Sequence, residues 1–353
     1  MLKKSEGGVV MIHRYRPSAR WGMVTALVLS LLVLPLSAAA ATDVNAAETE
    51  GSGQQQPSRF AVNGAMYVTP AGEPAPYINQ DSRTMVPASF FAAAMGVPAA
   101  GIQWDSATKT ATIRHDAHTL QLTQGRPYLL VNGDQVAIDT TIAIRDGRVF
   151  VPARFIAEGL GATVGWDAFS RIVHLSTDGP TLEPEAAREA IGDQADEVLQ
   201  LISELDLDGL AAWVHPERGL RFSPYSYVDV ADDIVLEDFE LASNLNNPEL
   251  REWGFYDGSG ETILLDFRDY WTRFVFSHDF RQAPEVSYNE QLFGGNMINN
   301  APIVYGGSII VEYHFDGFEE QYAGMDWRSL RLVFQPYDGN WRLVGILNDE
   351  WTT

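Results

Sequence analysis

Residues 148–167 read RVFVPARFIAEGLGATVGWD. Apolar residues lead up to a Val-Pro pair and then recur at helical spacing as far as Gly161. Proline is tolerated in the first turn of a helix because its missing N–H would have no partner there, and glycine commonly caps the end. The stretch therefore predicts strand residues, a short helix, and then Trp166-Asp167 leading through a polar turn into another strand.

The same pattern occurs a second time nearer the amino end, where residues 83–105 read RTMVPASFFAAAMGVPAAGIQWD. A Val-Asn-Gly triplet precedes each stretch, at residues 62–64 and 131–133. Asn-Gly favours a two-residue hairpin turn because both positions tolerate positive φ. We predict two copies, 59–125 and 126–177, each with one helix lying across a small antiparallel sheet.

The repeated motif resembles the family named after the N-terminal domain of copper amine oxidases, the stalk domain. The family pattern is Val-Asn-Gly, then Arg-x-x-Val-Pro-x-Arg-Phe-x-x-Glu-x-x-Gly-Ala, then Val-x-Trp-Asp. The second copy fits this pattern at Arg148, Val151, Pro152, Arg154, Phe155, Glu158, Gly161, Ala162, Val164, Trp166 and Asp167. The first copy departs from it at Ser89 and Ala93, where the family has Arg and Glu. Residues 59–177 are called the stalk module below.

The resemblance implies an accessory module and not an amine oxidase. Oxidase activity belongs to a separate catalytic domain, which needs three copper-binding histidines and a tyrosine in an Asn-Tyr-Asp/Glu setting. The nearest string here, at residues 288–290, is Tyr-Asn-Glu, which has the wrong order. The chain has no Cys, so thiolate metal sites and thiol nucleophiles are excluded. No histidine pair, phosphate loop or nucleophile elbow has the spacing of a known site, and we predict neither a metal nor a cofactor.

The first 41 residues have the three-part order of a secretory signal peptide: a basic stretch, an apolar run and a small-residue cleavage pattern. The apolar run of about 14 residues is shorter than the ~20 that a spanning helix needs. We therefore predict a signal peptide at 1–41 and no integral membrane span after its cleavage; an uncleaved anchor is the alternative. Residues 42–58 lack apolar periodicity and are predicted to be a flexible linker.

The chain is acidic, with 47 Asp and Glu against 24 Lys and Arg. Loss of the signal peptide would leave 46 acidic and 19 basic residues. Such a surface repels phosphate polymers, so we expect no nucleic-acid partner. This composition suits an extracellular protein, or one that meets cations or a basic partner. Together with the signal segment, it leads us to expect an extracytoplasmic protein, secreted or associated with the cell surface, whose partner is a cell-wall component or another envelope protein.

The second half has a different pattern, beginning after a Gly- and Pro-containing linker at 178–184. The predicted helices are 185–205, 210–214 and 266–276, the clear strands are 307–315, 330–335 and 341–346, and weaker strand-like pieces are 227–230 and 234–239. Helices first and long antiparallel strands last predict an α+β fold, with helices packed on one face of a curved sheet.

This order of elements is similar to that of the NTF2-like cone folds. The strings HPERGLRFSPY (215–225), MDWRSLRLVF (325–334) and WRLVGI (341–346) also resemble an uncharacterised domain of exported bacterial proteins. The resemblance implies a fold and a compartment, but no activity. Residues 185–353 are called the C-terminal domain below.

Five residues of the C-terminal domain lie at predicted turns or strand ends, where they would line the open mouth of a cone: His215, Arg221, Tyr225, Asp326 and Asp349. Ligand pockets join apolar walls to a few such polar groups. We therefore interpret the chain as an exported, non-catalytic protein with a stalk module and a ligand- or partner-binding α+β domain.

Two alternatives stay open. In the first, His215 works with Asp349 or Glu350 as an acid–base pair, which would make the domain an NTF2-like hydrolase or isomerase. In the second, an acidic run makes the protein a calcium-dependent adhesion module. The run consists of Asp232, Asp233, Glu237, Asp238 and Glu240.

Overall fold

The stalk module consists of short strands and two short helices in the computed structural model, which describes residues 59–69, 72 and 74–352. These residues all belong to one compact unit. The predicted signal peptide and linker, residues 1–58, lie outside them. In chain order the elements are β1 Arg59–Val62, β2 Ala65–Tyr67, β3 Tyr77–Ile78, β4 Thr84–Pro87, α1 Ala88–Ala94, β5 Ile102–Asp105, β6 Thr110–His115, β7 His118–Thr123, β8 Tyr128–Val131, β9 Asp134–Ala137, β10 Ala143–Arg145, β11 Arg148–Pro152, α2 Ala153–Gly159, β12 Thr163–Asp167 and β13 Ile172–Ser176.

Both Asn-Gly pairs form the predicted two-residue turns, between β1 and β2 and between β8 and β9. The φ angles are 50° and 81° at Asn63 and Gly64, and 52° and 95° at Asn132 and Gly133. Positive φ at both central positions is what matches the twist of a tight hairpin.

The helices also start and stop where the motif predicts. Each begins directly after its Val-Pro pair, with Pro87 or Pro152 in extended conformation at the N-cap. Each is followed by a glycine of positive φ, 80° at Gly96 and 83° at Gly161. Both helices pack on one shared apolar core, in which Phe91 is fully buried.

The sheets differ from the expected arrangement, because every one combines strands of both copies. The strand orders are β12-β13-β1-β2, β10-β11-β4-β3 and β5-β6-β7-β8-β9. The first hairpin of copy one thus pairs with the last hairpin of copy two, and the central sheet joins β4 to β11. One helix and a few short strands bury too little apolar surface to be stable alone, so the two copies fold around a common core.

The two outer sheets are alike except for one strand. In one of them β7 lies between β6 and β8, whereas in the other β13 pairs directly with β1 in parallel. The strands of the two copies therefore occupy equivalent positions in these two sheets. The additional strand is β7, which connects copy one to copy two.

The C-terminal domain begins with the predicted long helix. Its elements are α3 Pro184–Glu204, α4 Leu207–Ala211, β14 Leu220–Ser223, β15 Ile234–Leu236, α5 Asp238–Asn244, β16 Arg251–Phe255, β17 Thr262–Leu265, α6 Phe267–Tyr270, β18 Glu285–Tyr288, α7 Ala301–Val304, β19 Ile309–Phe315, β20 Arg328–Tyr337 and β21 Asn340–Glu350. A π-helical turn, Trp271–Val275, continues α6 and completes the predicted helix at 266–276.

A six-stranded sheet has the order β15-β14-β21-β20-β19-β18. Helix α3 buries one face against it, and Ile191 and Val198 share a core cluster with Val311, Leu332 and Ile346 of the sheet. The α+β class is confirmed, as are the long helix and the three C-terminal strands. The NTF2-like resemblance stays a prediction.

The structure differs from the elements expected for this domain. Residues 227–230 form no strand, and the strand-like piece expected at 234–239 ends at Leu236, with helix α5 beginning at Asp238. Strands β16, β17 and β18 were not predicted. The β16–β17 hairpin buries only Trp253 and Ile263 among its residues, so its sequence lacks a regular apolar alternation. Within the described residues, no helix combines the length and apolar character that crossing a membrane requires.

Candidate functional site

The second face of the six-stranded sheet is covered by the stalk module. Ala61 of β1 and Ile172 of β13 lie in one buried cluster with Val333, Val344 and Leu347 of the C-terminal domain. Helix α7 contributes to the same cluster. The two regions therefore meet through a continuous apolar contact.

Polar contacts hold this junction in register. Asp167, at the end of β12, is only 4% exposed and accepts hydrogen bonds from Tyr227 Oη at 2.8 Å and Asn300 Nδ2 at 3.1 Å. Arg221 Nη2 donates to the carbonyl oxygen of Gly64, in the β1–β2 turn, at 2.7 Å. Burial alone would raise the pKa of Asp167, but the hydrogen bonds that it accepts lower the pKa below its usual value, so the carboxylate is charged. Both of its oxygens accept hydrogen bonds.

The predicted linker is also held in place. Arg218 donates to both carboxylate oxygens of Asp178, at 2.8 and 3.0 Å, and to Gln335 Oε1 at 2.6 Å. The half-buried, bidentate pair fastens the start of the linker to strand β20.

A cleft of about 330 Å³ opens at the junction. The β1–β2 turn and strand, residues 63–66, form its stalk-module side. From the C-terminal domain it is lined by Arg218, Arg221, Asp233, Val235 and Tyr305, among others. It combines apolar walls with a few converging polar groups, as ligand sites do.

The polar part of the cleft centres on Arg221 and Asp233. The Asp233 carboxylate accepts hydrogen bonds from the hydroxyl of Ser223 and from the backbone N–H of Asp229. Burial raises the pKa of Asp233 to about 7, although the charge of Arg221 opposes this. The cleft therefore contains a permanent cation beside a carboxyl group that takes up a proton more readily than an ordinary aspartate does.

Unpaired polar atoms lie beneath the junction. Neither ring nitrogen of His174, nor the hydroxyl of Tyr305, has a hydrogen-bond partner within the described residues. Burial lowers the pKa of His174 to about 4, although Asp167 opposes this. His174 is consequently neutral at physiological pH.

His215, the predicted acid–base residue, is 1% exposed, and its Nε2 has no hydrogen-bond partner among the residues that the structure describes. Its Nδ1 accepts from the backbone N–H of Glu217 at 3.2 Å, and its ring stands edge-on to Tyr337. Burial, together with the charges of Arg218 and Arg342, lowers the pKa of His215 to about 4. Its role in the structure is to close the turn after α4.

The other predicted site residues lie in separate surroundings. Tyr225 belongs to the aromatic core next to Phe274, and its hydroxyl accepts from the N–H of Asp257 at 3.4 Å. Asp326 accepts from two backbone N–H groups, at 3.1 and 2.8 Å, and so organises the β19–β20 loop. Asp349 pairs with Arg331.

This distribution corrects the expected common pocket. Of the five predicted residues, only Arg221 lines the cleft, and no two of them share a hydrogen bond or ion pair in the part of the chain that the structure describes. Glu350 does not reach His215 either, because it binds Arg273 and Arg328. The acid–base pair of the hydrolase or isomerase alternative is therefore not formed.

Sequence reasoning missed a buried ionic cluster on the same sheet face. Arg331 of β20 bonds Glu312 of β19 at 2.9 Å and Asp349 of β21 at 2.8 Å, and all three are at most 2% exposed. Burial raises the pKa of Asp349, although Arg331 opposes this. The sequence feature that could have revealed this cluster is the alternation in 307–315 and 330–335, which places Glu312 and Arg331 on the sheet face away from the apolar side chains. Such positions usually face water, so the pattern alone did not reveal their burial.

The acidic run is used for local structure. Glu237 and Glu240 form the capping box of α5, Asp238 accepts from the N–H of Phe239, and Asp233 faces the cleft. Within residues 59–69, 72 and 74–352, no three His, Asp or Glu side chains are grouped to hold a metal ion. The arrangement gives the calcium alternative no observed site.

Residues 61–175 match the model of the copper amine oxidase N-terminal domain family. This confirms the resemblance predicted from the repeated motif for the stalk module. The match covers about a third of the chain and identifies a non-catalytic, stalk-type module. Comparisons with curated proteins and with solved structures found no match for the chain.

Proposed function

We propose that the protein is exported and acts without catalysis in the cell envelope or outside the cell, where the stalk module and the C-terminal domain together bind a ligand or partner. The observation that carries this proposal is the junction cleft. Its walls come from both regions, and its polar groups converge on a space that no described side chain fills.

The surroundings of the predicted catalytic residues favour binding over chemistry. A general base must lie within hydrogen-bond reach of the proton it removes. His215 is buried and neutral, and Asp349 and Glu350, the two acids expected as its partners, are paired with arginines instead. These groups stabilise the fold, which leaves them unsuited to proton transfer.

The charge distribution indicates the type of partner. The stalk module has nine acidic and nine basic residues, whereas the C-terminal domain has 32 acidic and ten basic residues. The C-terminal domain therefore attracts cationic partners and repels polyanions such as nucleic acids, while the stalk module is electrostatically neutral.

Export is tested by fractionating cells that produce the protein and by measuring the mass of its amino terminus. We expect the protein in the envelope or the medium, starting after residue 41. A full-length chain found only inside the cells would contradict export.

Binding and catalysis are separated by incubating the purified protein with insoluble cell-wall material and with soluble wall glycans and peptides. We expect co-sedimentation with the wall or with an envelope protein, and no new products. Product formation that a His215→Ala variant abolishes would overturn the proposal.

A further inference from the structure

The junction cleft lies between two strand edges. Strand β2 is outermost in the sheet β12-β13-β1-β2, and β15 is outermost in the six-stranded sheet. No strand of the described residues pairs with the outer side of either one. Residues of both β2 and β15 line the cleft. An edge strand presents unpaired N–H and C=O groups, which are a template for another extended chain.

The β1–β2 register determines which groups of β2 point outward. Val62 and Ala65 flank the two-residue turn and therefore form a hydrogen-bonded pair. The next pair, Ala61 and Met66, is of the non-hydrogen-bonded type, because the two types alternate along an antiparallel ladder. The N–H and C=O of Met66 consequently point away from β1, toward the free edge.

Apolar side chains are available on both sides of this edge. Met66 and Val344 line the cleft together with Val230 and Val235. Val235 is 38% exposed although it is apolar and lies on a strand. An added strand would place every second side chain against these walls and gain affinity from its backbone and specificity from the apolar contacts.

Charge favours a basic segment. The two arginines of the cleft already have acidic neighbours, since Arg218 is paired with Asp178 and Arg221 lies beside Asp233. The C-terminal domain, which forms one side of the cleft, has 32 acidic residues against ten basic ones, and the exposed Asp232 adjoins the cleft. The side chains of an added strand that face water would lie close to this negative surface.

We propose that the junction cleft binds an extended, basic peptide segment of a partner protein, which adds a strand to the free edge of β2 and packs alternate apolar side chains against Met66 and Val235. This rests on the proposed binding function and specifies its partner class. The cleft is formed only when the stalk module and the C-terminal domain are together, so the site belongs to neither alone.

The test uses a random library of twelve-residue peptides displayed on phage and selected on the purified protein. We expect enriched peptides with apolar residues at every second position and Lys or Arg between them. A synthetic copy of an enriched peptide should lose at least about tenfold in affinity for a Val235→Asn variant, because the uncharged amide would be desolvated against the apolar side chains of the peptide.

A matched control is on the opposite edge of the same sheet. Val286 of β18 is 43% exposed, and β18 is also an outermost strand. A Val286→Asn variant should bind the peptide like the unmodified protein. Equal loss in both variants would place the peptide elsewhere and overturn the proposal, as would a library that yields no enriched peptide.

Strand addition has a further signature, which simple apolar docking lacks. N-methylation of the peptide should reduce affinity at every second residue, where the N–H faces β2, and have little effect at the residues between. Amide hydrogen exchange at Met66 should slow when the peptide is bound. Uniform tolerance of N-methylation would refute strand addition. If only these experiments fail while export and wall or envelope binding persist, the proposed function stands and the peptide site does not.

Discussion

The two Trp-Asp motifs of the stalk module have the same local structure and different surroundings. Asp105 Oδ1 accepts from the N–H groups of the residues two and three positions later, and Asp167 Oδ1 does the same. The second oxygen differs. In Asp105 it accepts from Thr108 of its own turn, whereas in Asp167 it accepts from Tyr227 and Asn300 of the C-terminal domain. A local turn motif has thus acquired a tertiary contact through its one spare acceptor.

Neighbouring positions show the same divergence. The residue before the Trp is the exposed Gln103 in copy one and Gly165 in copy two, where helix α7 lies close to the strand. Two strands of the module carry Thr112 and His174 at equivalent positions; both are buried, and His174 lies at the junction. The copies therefore differ in residue type on the sheet face that, in copy two, meets the other domain.

The largest effect is expected for Asp167→Ala. The substitution leaves the Tyr227 hydroxyl and one N–H of the Asn300 amide without an acceptor, while the other N–H of Asn300 keeps its bond to the carbonyl oxygen of Val228. We expect a cost of about 3 kcal/mol in the free energy of unfolding. Urea denaturation measures it. The matched Asp105→Ala variant should lose far less, because its partners are exposed to water. Equal losses would contradict the distinction between the two motifs.

The next largest loss in the free energy of unfolding is expected for Gly165→Ala. A Cβ atom there would lie 2.5 Å from Cγ2 of Ile303 and 3.3 Å from the carbonyl oxygen of the same residue, so α7 must shift. We expect a loss of about 2 kcal/mol, typical of overpacking. Thermal unfolding measures this loss. The control is Gln103→Ala, at the equivalent position of copy one, whose unfolding temperature should equal that of the unmodified protein. A neutral Gly165→Ala variant would mean that α7 does not pack tightly on β12.

Tyr227→Phe removes one hydrogen bond of the junction and keeps the ring packed against Phe169. We expect a loss of about 1 kcal/mol. A double-mutant cycle with Asp167→Ala provides the control, since the Tyr227→Phe effect should nearly vanish when the acceptor is already absent. Additive losses would show that the two residues are not coupled.

The smallest effect concerns pH. His174 has a pKa of about 4 in the folded protein, against an ordinary value of 6.5, so the unfolded chain binds a proton first as pH falls. The contribution of a neutral His174 to the free energy of unfolding is thus fully present above pH 6.5 and is lost as the pH falls from about 6.5 to 4. Between pH 7 and pH 5.5 this contribution decreases by about 1 kcal/mol.

Urea denaturation at these two pH values should show a smaller difference for His174→Gln than for the unmodified protein. His215, whose pKa is also lowered to about 4, would retain its own share and so preserve part of the slope. An unchanged difference in His174→Gln would mean that this histidine is already charged in the folded state.

Local features of the fold were predictable because short-range chemistry determines them. Asn-Gly tolerates the positive φ of a tight turn, Val-Pro can start a helix, and glycine can end one, so the elements of the stalk module follow from neighbouring residues. The apolar spacing of 185–205 likewise predicts a long helix with one buried face. None of this depends on distant contacts.

The candidate site was predicted poorly. Arg221 was identified and does line the cleft, but Asp233 was assigned to an acidic run and the β1–β2 turn was not connected with the C-terminal domain. His215, Tyr225, Asp326 and Asp349 were grouped because they follow turns or strand ends. The position of a residue along a strand does not reveal which loops meet in space. In the structure, each of these four residues bonds to a different partner, and they share no site.

The amino-acid sequence by itself determined the turns, the helix limits, the duplicated motif and the acidic balance, since each depends on residue type and on spacing over a few positions. Only the tertiary structure decided that strands of the two copies combine in shared sheets, that Asp167 faces another domain while Asp105 faces water, and that a cleft opens between two strand edges. Those outcomes depend on how separate apolar faces cover one another, and that competition involves residues more than a hundred positions apart, as the contact of Arg221 with Gly64 illustrates.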